Sequence, residues 1–196
     1  MRTTLRPPGF WQGGFTLVEL MVAVAVSFVL AALAAPGFVA SLDKARVRGA
    51  ADAVVDHVAQ ARQGAVMLGR DVLLSARGIG ATWCIGAVEA ATPAAGSQAD
   101  APVACDCVAA PATCVVDGRH GVVGSVQHPG VGLVSESSAL VFDGRLGARS
   151  DAGAADTRSF ELVSATGRFA LAVRVSPLGQ ATICSKRGNV AGYPPC

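Results

Sequence analysis

Charge is nearly missing from positions 15–35, where Glu19 is the one ionisable residue among 21. As a helix rising ~1.5 Å per residue, that run is ~31 Å long, about the thickness of a bilayer's hydrocarbon core. No second stretch approaches this length. The 52% hydrophobic content does not imply a polytopic membrane protein, because much of it is this segment and abundant alanine. Catalytic signatures are missing too. The chain has 23 glycines but neither a phosphate-loop sequence nor a dinucleotide fingerprint. No serine lies in a nucleophile elbow, and His57, His120 and His128 stand apart from any catalytic pattern, so they read as surface or structural residues. The sequence gives no reason to expect an enzyme or a cofactor. Excess charge is scarce as well, with 16 Lys plus Arg against 14 Asp plus Glu, and Arg2 and Arg6 lie before the apolar run. From residue 15 onward the balance is neutral, which argues against bulk electrostatic binding to nucleic acid and leaves only a local basic patch.

What is present starts with Glu19. An ionised side chain at that depth in lipid costs at least roughly 2.5–3.5 kcal/mol on insertion scales, so it marks a functional site with a partner to be found. Cleavage after Gly14 would create one: the new α-amino group of Phe15 on a neighbouring copy. An ordinary secretory signal fits poorly, because the apolar run is too long, holds a glutamate and offers no good cleavage site before Pro36. A generic single-span anchor accounts for neither Glu19 nor the Gly13-Gly14 pair. Flanking charge does not orient the segment, since Arg2 and Arg6 precede it while Lys44, Arg46 and Arg48 follow it.

Six cysteines lie between positions 84 and 196 and point to an oxidising compartment such as the periplasm. Cys84, Cys105, Cys107 and Cys114 are separated by 20, 1 and 6 residues, without the short knuckles of a four-thiolate zinc site. Disulfides are the better reading, and no metal is expected. Cys105 and Cys107 are too close for an unstrained bond to each other, so each needs another partner. Six cysteines allow 15 pairings. Cys184 with Cys196 is the easiest to propose, because it staples the tail onto the final strand, a closure worth ~3 kcal/mol in the chain-entropy model.

Beyond Pro36, Ala51, Val54, Val58, Ala61, Ala65 and Leu68 recur at steps of three or four and define one helical face. Asp52, Asp56, Gln60, Arg62 and Gln63 fall outside it, toward water or a partner. This predicts a long helix from Phe15 to about Leu68, interrupted or bent near Pro36-Gly37. From Arg70 the period shortens to two, with strand-like runs at 72–75, 82–88, 138–142, 160–163, 169–175 and 180–184. The last three read as a meander. Phe169, Leu171, Val173 and Val175 share one face, and Ser176-Pro177-Leu178-Gly179 suits a type I turn. Residues 90–102 and 147–157 have loop composition.

The segment Gly14-Phe15-Thr16-Leu17-Val18-Glu19-Leu20-Met21-Val22-Ala23 resembles the signature of type IV prepilin-like proteins. In that family a membrane-embedded leader peptidase cuts between the residues matching Gly14 and Phe15 and methylates the new terminus. Glu19 then becomes the fifth mature residue, the family's assembly glutamate, and Pro36 the twenty-second, a helix-bending proline. The resemblance implies an α+β pilin fold: leader 1–14, transmembrane half-helix 15–36, amphipathic half-helix 37–69 and a disulfide-containing, β-rich periplasmic head 70–196. The implied partners are other pilin or pseudopilin subunits, the leader peptidase/methyltransferase, and the inner membrane with its assembly platform.

More narrowly, Trp83-Cys84-Ile85-Gly86, Cys105-Asp106-Cys107, Phe142-Asp143-Gly144 and the closing strand pair resemble the pseudopilin H and FimT branch. That branch implies a minor subunit of a type II secretion pseudopilus or of a type IV pilus, and it includes DNA-uptake pilins. Those carry G-R-x-R after the last strand turn. Here the matching residues are Gly179-Gln180-Ala181-Thr182, without either arginine, while Gly167-Arg168-Phe169-Ala170 keeps one. Arg174, Lys186 and Arg187 remain available for phosphate contacts, but solvated surface charge explains them equally, so DNA is disfavoured as a partner.

Overall fold

The computed structural model describes residues 14–90, 104–134, 139–151 and 157–196, apart from the side chains of 35 and 36. It combines one long amino-terminal helix with an antiparallel β region, an α+β, pilin-like arrangement. The chain divides into two units, Met1–Ala40 and Ser41–Cys196, and helix α1 (Leu17–Leu68) contributes to both. Each unit is described by itself.

In the first unit, Leu17–Ala34 has a mean hydropathy of 2.5 and buries none of its residues within the chain. Such a helix is long and apolar enough to cross a membrane. It starts two residues later than the pattern predicts, because Thr16 caps it. The helix continues through positions 36 and 37 without interruption. The bend expected at Pro36 falls on a residue outside the described side chains.

In the second unit, α1 buries Val47, Ala50, Ala51, Val54, Val58, Ala61 and Ala65. This apolar stripe begins a turn earlier than the sequence pattern indicates, and Leu68 at its end is half-exposed. Asp52, Asp56, Gln60 and Gln63 face outward, but Arg62 does not. Its Nε donates to the Gly147 carbonyl at 3.0 Å, and its stem lies along Gly147 and Gly179. A long side chain buries its methylenes readily when the guanidinium finds a carbonyl.

Among the described residues the β region holds two four-stranded sheets. Strands β1 (Val72–Arg77), β2 (Cys84–Glu89), β5 (Val122–Gly124) and β7 (Leu140–Phe142) order as β5-β2-β1-β7. Strands β6 (Val131–Leu133), β8 (Arg158–Ser164), β9 (Ala170–Val175) and β10 (Ala181–Arg187) order as β10-β9-β8-β6. A two-stranded ribbon joins β3 (Val115–Val116) to β4 (Arg119–His120). The meander β8-β9-β10 is antiparallel throughout. At its last turn the Gly179 N–H donates to the Ser176 carbonyl at 2.9 Å, with Gly179 at φ 75°, a conformation in which glycine meets no Cβ clash.

Burial explains the strand chemistry. Leu74, Ile85, Leu140 and Phe142 are fully buried in the first sheet, and Phe160, Leu162, Leu171 and Val173 in the second. Trp83 lies just before β2, fully buried, and its Nε1 donates to the Val131 carbonyl at 2.8 Å, linking the two sheets. Of the loop-like stretches, 90–102 lies outside the described residues apart from Ala90, while 147–151 is described and Arg149 forms an isolated bridge with Phe142.

Candidate functional site

The first candidate site is the start of α1. Thr16 precedes its first turn and accepts a hydrogen bond at Oγ1 from the Glu19 N–H, 3.2 Å away. The Leu20 N–H donates to the Thr16 carbonyl, also at 3.2 Å. A hydroxyl in this position satisfies one of the amide donors that a helix start leaves open. Thr16-Leu17-Val18-Glu19 is thus a capping-box sequence, with Glu19 in the first turn, where a carboxylate also suits the helix dipole.

Around Glu19 lies an exposed apolar surface of Phe15, Leu20, Ala23, Val24 and Phe28. Ser27, at its edge, turns its hydroxyl back to the Ala23 carbonyl at 2.8 Å, so its polarity is spent within the helix. Phe15 is 82% exposed, and Gly14 stands in extended chain ahead of the helix. A peptidase cutting between them would meet no secondary structure to unwind at that bond. The residues of the leader ahead of Gly14 lie outside the described part of the chain.

The head carries the cysteines. Cys84 is bonded to Cys107, Cys105 to Cys114 and Cys184 to Cys196, leaving no free thiol. The first two bridges form a buried cluster against Val88 and Val122. Gly86 makes room for them. A Cβ there would stand 2.7 Å from both Cys105 Sγ and Cys114 Sγ. Asp106, between the bridges, accepts from the Val108 and Ala109 amides, which lowers its carboxyl pKa below the usual range. The third bridge joins β10 to the tail. That tail is tied further by the Arg48 guanidinium to the Ala191 carbonyl and by the Tyr193 hydroxyl to Asp52 Oδ1 at 3.2 Å.

Between α1 and the β3-β4 ribbon lies a cleft of about 340 Å³, lined by His57, Gln60, Met67, Val116, Arg119 and His120. His57 is buried, its Nε2 has no hydrogen-bond partner among the described residues, and burial lowers its pKa to about 4. At neutral pH its imidazole is uncharged. Partial burial also lowers the His128 pKa. Among the described residues, no three His, Cys, Asp or Glu side chains converge on a point where a metal ion would sit.

The sequence-derived DNA positions fall at opposite ends of the β9-β10 pair. Gln180 and Thr182 are exposed at the start of β10, with Thr182 opposite the exposed Arg174 of β9. Arg168 is exposed in the β8-β9 turn, Arg187 ends β10, and Lys186 is paired with Glu161.

No curated protein and no solved structure matches the chain. Residues 12–35 match the family model described as the prokaryotic N-terminal methylation motif, and with it the chain carries the signal of a type IV pilin-like prepilin at the head of its apolar helix.

Proposed function

We propose that this chain is a non-enzymatic minor pilin or pseudopilin of the H and FimT branch, stored in the inner membrane with its head in the periplasm and drawn into a filament. That filament is a type II secretion pseudopilus or a type IV pilus. The observation carrying this reading is the methylation motif over an exposed helix of spanning length that contains one carboxylate.

In this reading the leader peptidase cuts between Gly14 and Phe15 and methylates the Phe15 amine. Thr16 stays in the mature chain, so the helix cap survives the cut. Glu19 of an incoming subunit then pairs with the Phe15 amine of another. Each charge alone in lipid is costly, and burying the two together in a bundle of apolar helices replaces two isolated charges with a matched pair. The exposed apolar surface around Glu19 is covered in the same step. The disulfide-bonded head sets the subunit's contacts and its position in the filament.

Processing is the direct test. Intact-mass and amino-terminal analysis of the chain from cells containing the leader peptidase should give one species starting at N-methylated Phe15. A mature terminus anywhere else overturns the assignment.

A further inference from the structure

One end of the head gathers cations from three separate segments. Lys44 and Arg46 come from α1, Arg168 from the β8-β9 turn and Arg187 from the end of β10. Lys44 Nζ lies 5.0 Å from the centroid of the Phe169 ring, and the Arg168 guanidinium lies 5.7 Å from the same centroid. Arg187 Nη1 donates to the Gly167 carbonyl at 3.2 Å. Arg46 runs beside Gly130, next to Ala165 of the same turn. Arg48 borders the group but is engaged with Ala191 and Tyr193.

The acids at this end are already occupied. Asp43 is buried and accepts from the Thr166 hydroxyl at 2.6 Å, Asp52 holds the Tyr193 hydroxyl, and Glu161 holds Lys186. Four cations against the two carboxylates Asp43 and Asp52 leave this end net positive.

Their place in the chain says what they meet. Lys44 follows Ala34, the last residue of the spanning window, by ten residues. That length reaches ~15 Å as helix and at most ~36 Å fully extended, which bounds how far Lys44 can stand from the surface the apolar helix enters. Exposed Phe38, Val39 and Leu42 fill the interval. Apolar residues giving way to basic ones is the order of a segment crossing the headgroup region. Single-stranded nucleic acid fits less well, because the one aromatic ring of the cluster, Phe169, is buried beneath the cations and offers no face for a base to stack on.

We propose that this basic end rests on anionic phospholipid headgroups while the subunit is stored in the membrane. The proposal depends on the membrane-anchored reading above. Each Lys or Arg near an anionic leaflet strengthens the attraction roughly fivefold, within a Debye length.

The chain has two lysines, Lys44 inside the cluster and Lys186 held by Glu161. The full chain is reconstituted into vesicles of phosphatidylcholine alone or with one-third phosphatidylglycerol, and acetylation of each lysine is timed by peptide mapping. Flotation with the vesicles tests anchoring separately, so its failure sinks the reading beneath and not this one. Lys44 should react roughly threefold more slowly on the anionic vesicles, with Lys186 little changed and high salt removing the difference. Arg168→Gln with Arg187→Gln should weaken the protection, and the Lys replacements at both positions should keep it. Equal Lys44 rates on the two vesicle types overturn the proposal. So does protection by duplex DNA on neutral vesicles that matches or exceeds the lipid effect.

Discussion

The Glu19 N–H donates to Oγ1 of Thr16 at 3.2 Å, so the residue proposed to pair with a neighbouring Phe15 amine also occupies the first turn of a capped helix. Capping and charge pairing can be separated by chemistry. Glutamine keeps the length and polarity of a capping-box partner but has no charge. Glu19→Ala and Glu19→Gln should therefore behave alike: both insert at least as well as the parent chain, relieved of a charge in the apolar segment, and both lose incorporation into filaments. Crosslinking to other subunits is the measurement. Normal incorporation of the glutamine variant would assign Glu19 to capping alone.

His57 makes the head sensitive to acid. Burial lowers its pKa from 6.5 to about 4, so between those values the unfolded chain binds a proton that the folded chain refuses. A depressed histidine pKa gives stability that is present above pH 6.5 and lost as the pH falls toward 4. The full loss is on the order of 3 kcal/mol. His57→Gln removes the titration, so the melting temperature of the variant should fall less than that of the parent chain between pH 6.5 and 4.5. Parallel curves would show that His57 takes up its proton as readily in the folded chain as in the unfolded one, so that burial does not lower its pKa.

Gly86 and Gly64 are both crowded, yet they should respond differently to alanine. At Gly86 the new Cβ meets two disulfide sulfurs at 2.7 Å and Cys107 Cβ at 3.1 Å, on a strand paired on both sides. Neither the bridges nor the backbone can yield, so Gly86→Ala should cost roughly 1–3 kcal/mol by overpacking. At Gly64 the obstacle is a single methyl, Val116 Cγ1 at 2.6 Å, and alanine gains about 1 kcal/mol of helix propensity. Gly64→Ala should be near neutral. Denaturant unfolding of the two variants, with disulfides intact, tests the ordering.

Local pattern and long-range pairing differ in how plainly the chain displays them. The scarcity of charge around Glu19, the stripe from Ala51 to Ala65 and the alternation through Val175 each express a single element's environment, and the structure has a helix or strand in each place. Strands β3 to β6 are two or three residues long, too short for alternation to register, and they depend on neighbours already in place. The division into two sheets arises from pairings such as β1 with β7 and β6 with β8, which no local period encodes. The same holds for the sites. Glu19 stands out because lipid makes charge expensive. The cation group of Lys44, Arg46, Arg168 and Arg187 emerges only when a turn 123 residues away folds onto the helix, as the hydrogen bond from Thr166 to Asp43 records.

DNA binding is the remaining contrast between the resemblance and these residues. Where DNA-uptake relatives place two arginines after the last turn, this chain exposes Gln180 and Thr182, the latter opposite Arg174 on β9. The full chain in detergent should therefore bind duplex DNA no more tightly than the non-specific range of about 10⁻⁴–10⁻⁶ M at physiological salt. Gln180→Arg with Thr182→Arg would set two further guanidinium groups beside Arg174 without disturbing a buried contact. Each phosphate neutralised adds about 0.9 to the logarithmic salt slope, so the double variant should bind more tightly and steepen that slope by about 1.8. Titrations at several salt concentrations measure both quantities. Tight, steeply salt-dependent binding by the unmodified chain would make DNA its partner by a surface other than this turn, and would place the DNA-uptake reading ahead of the one proposed.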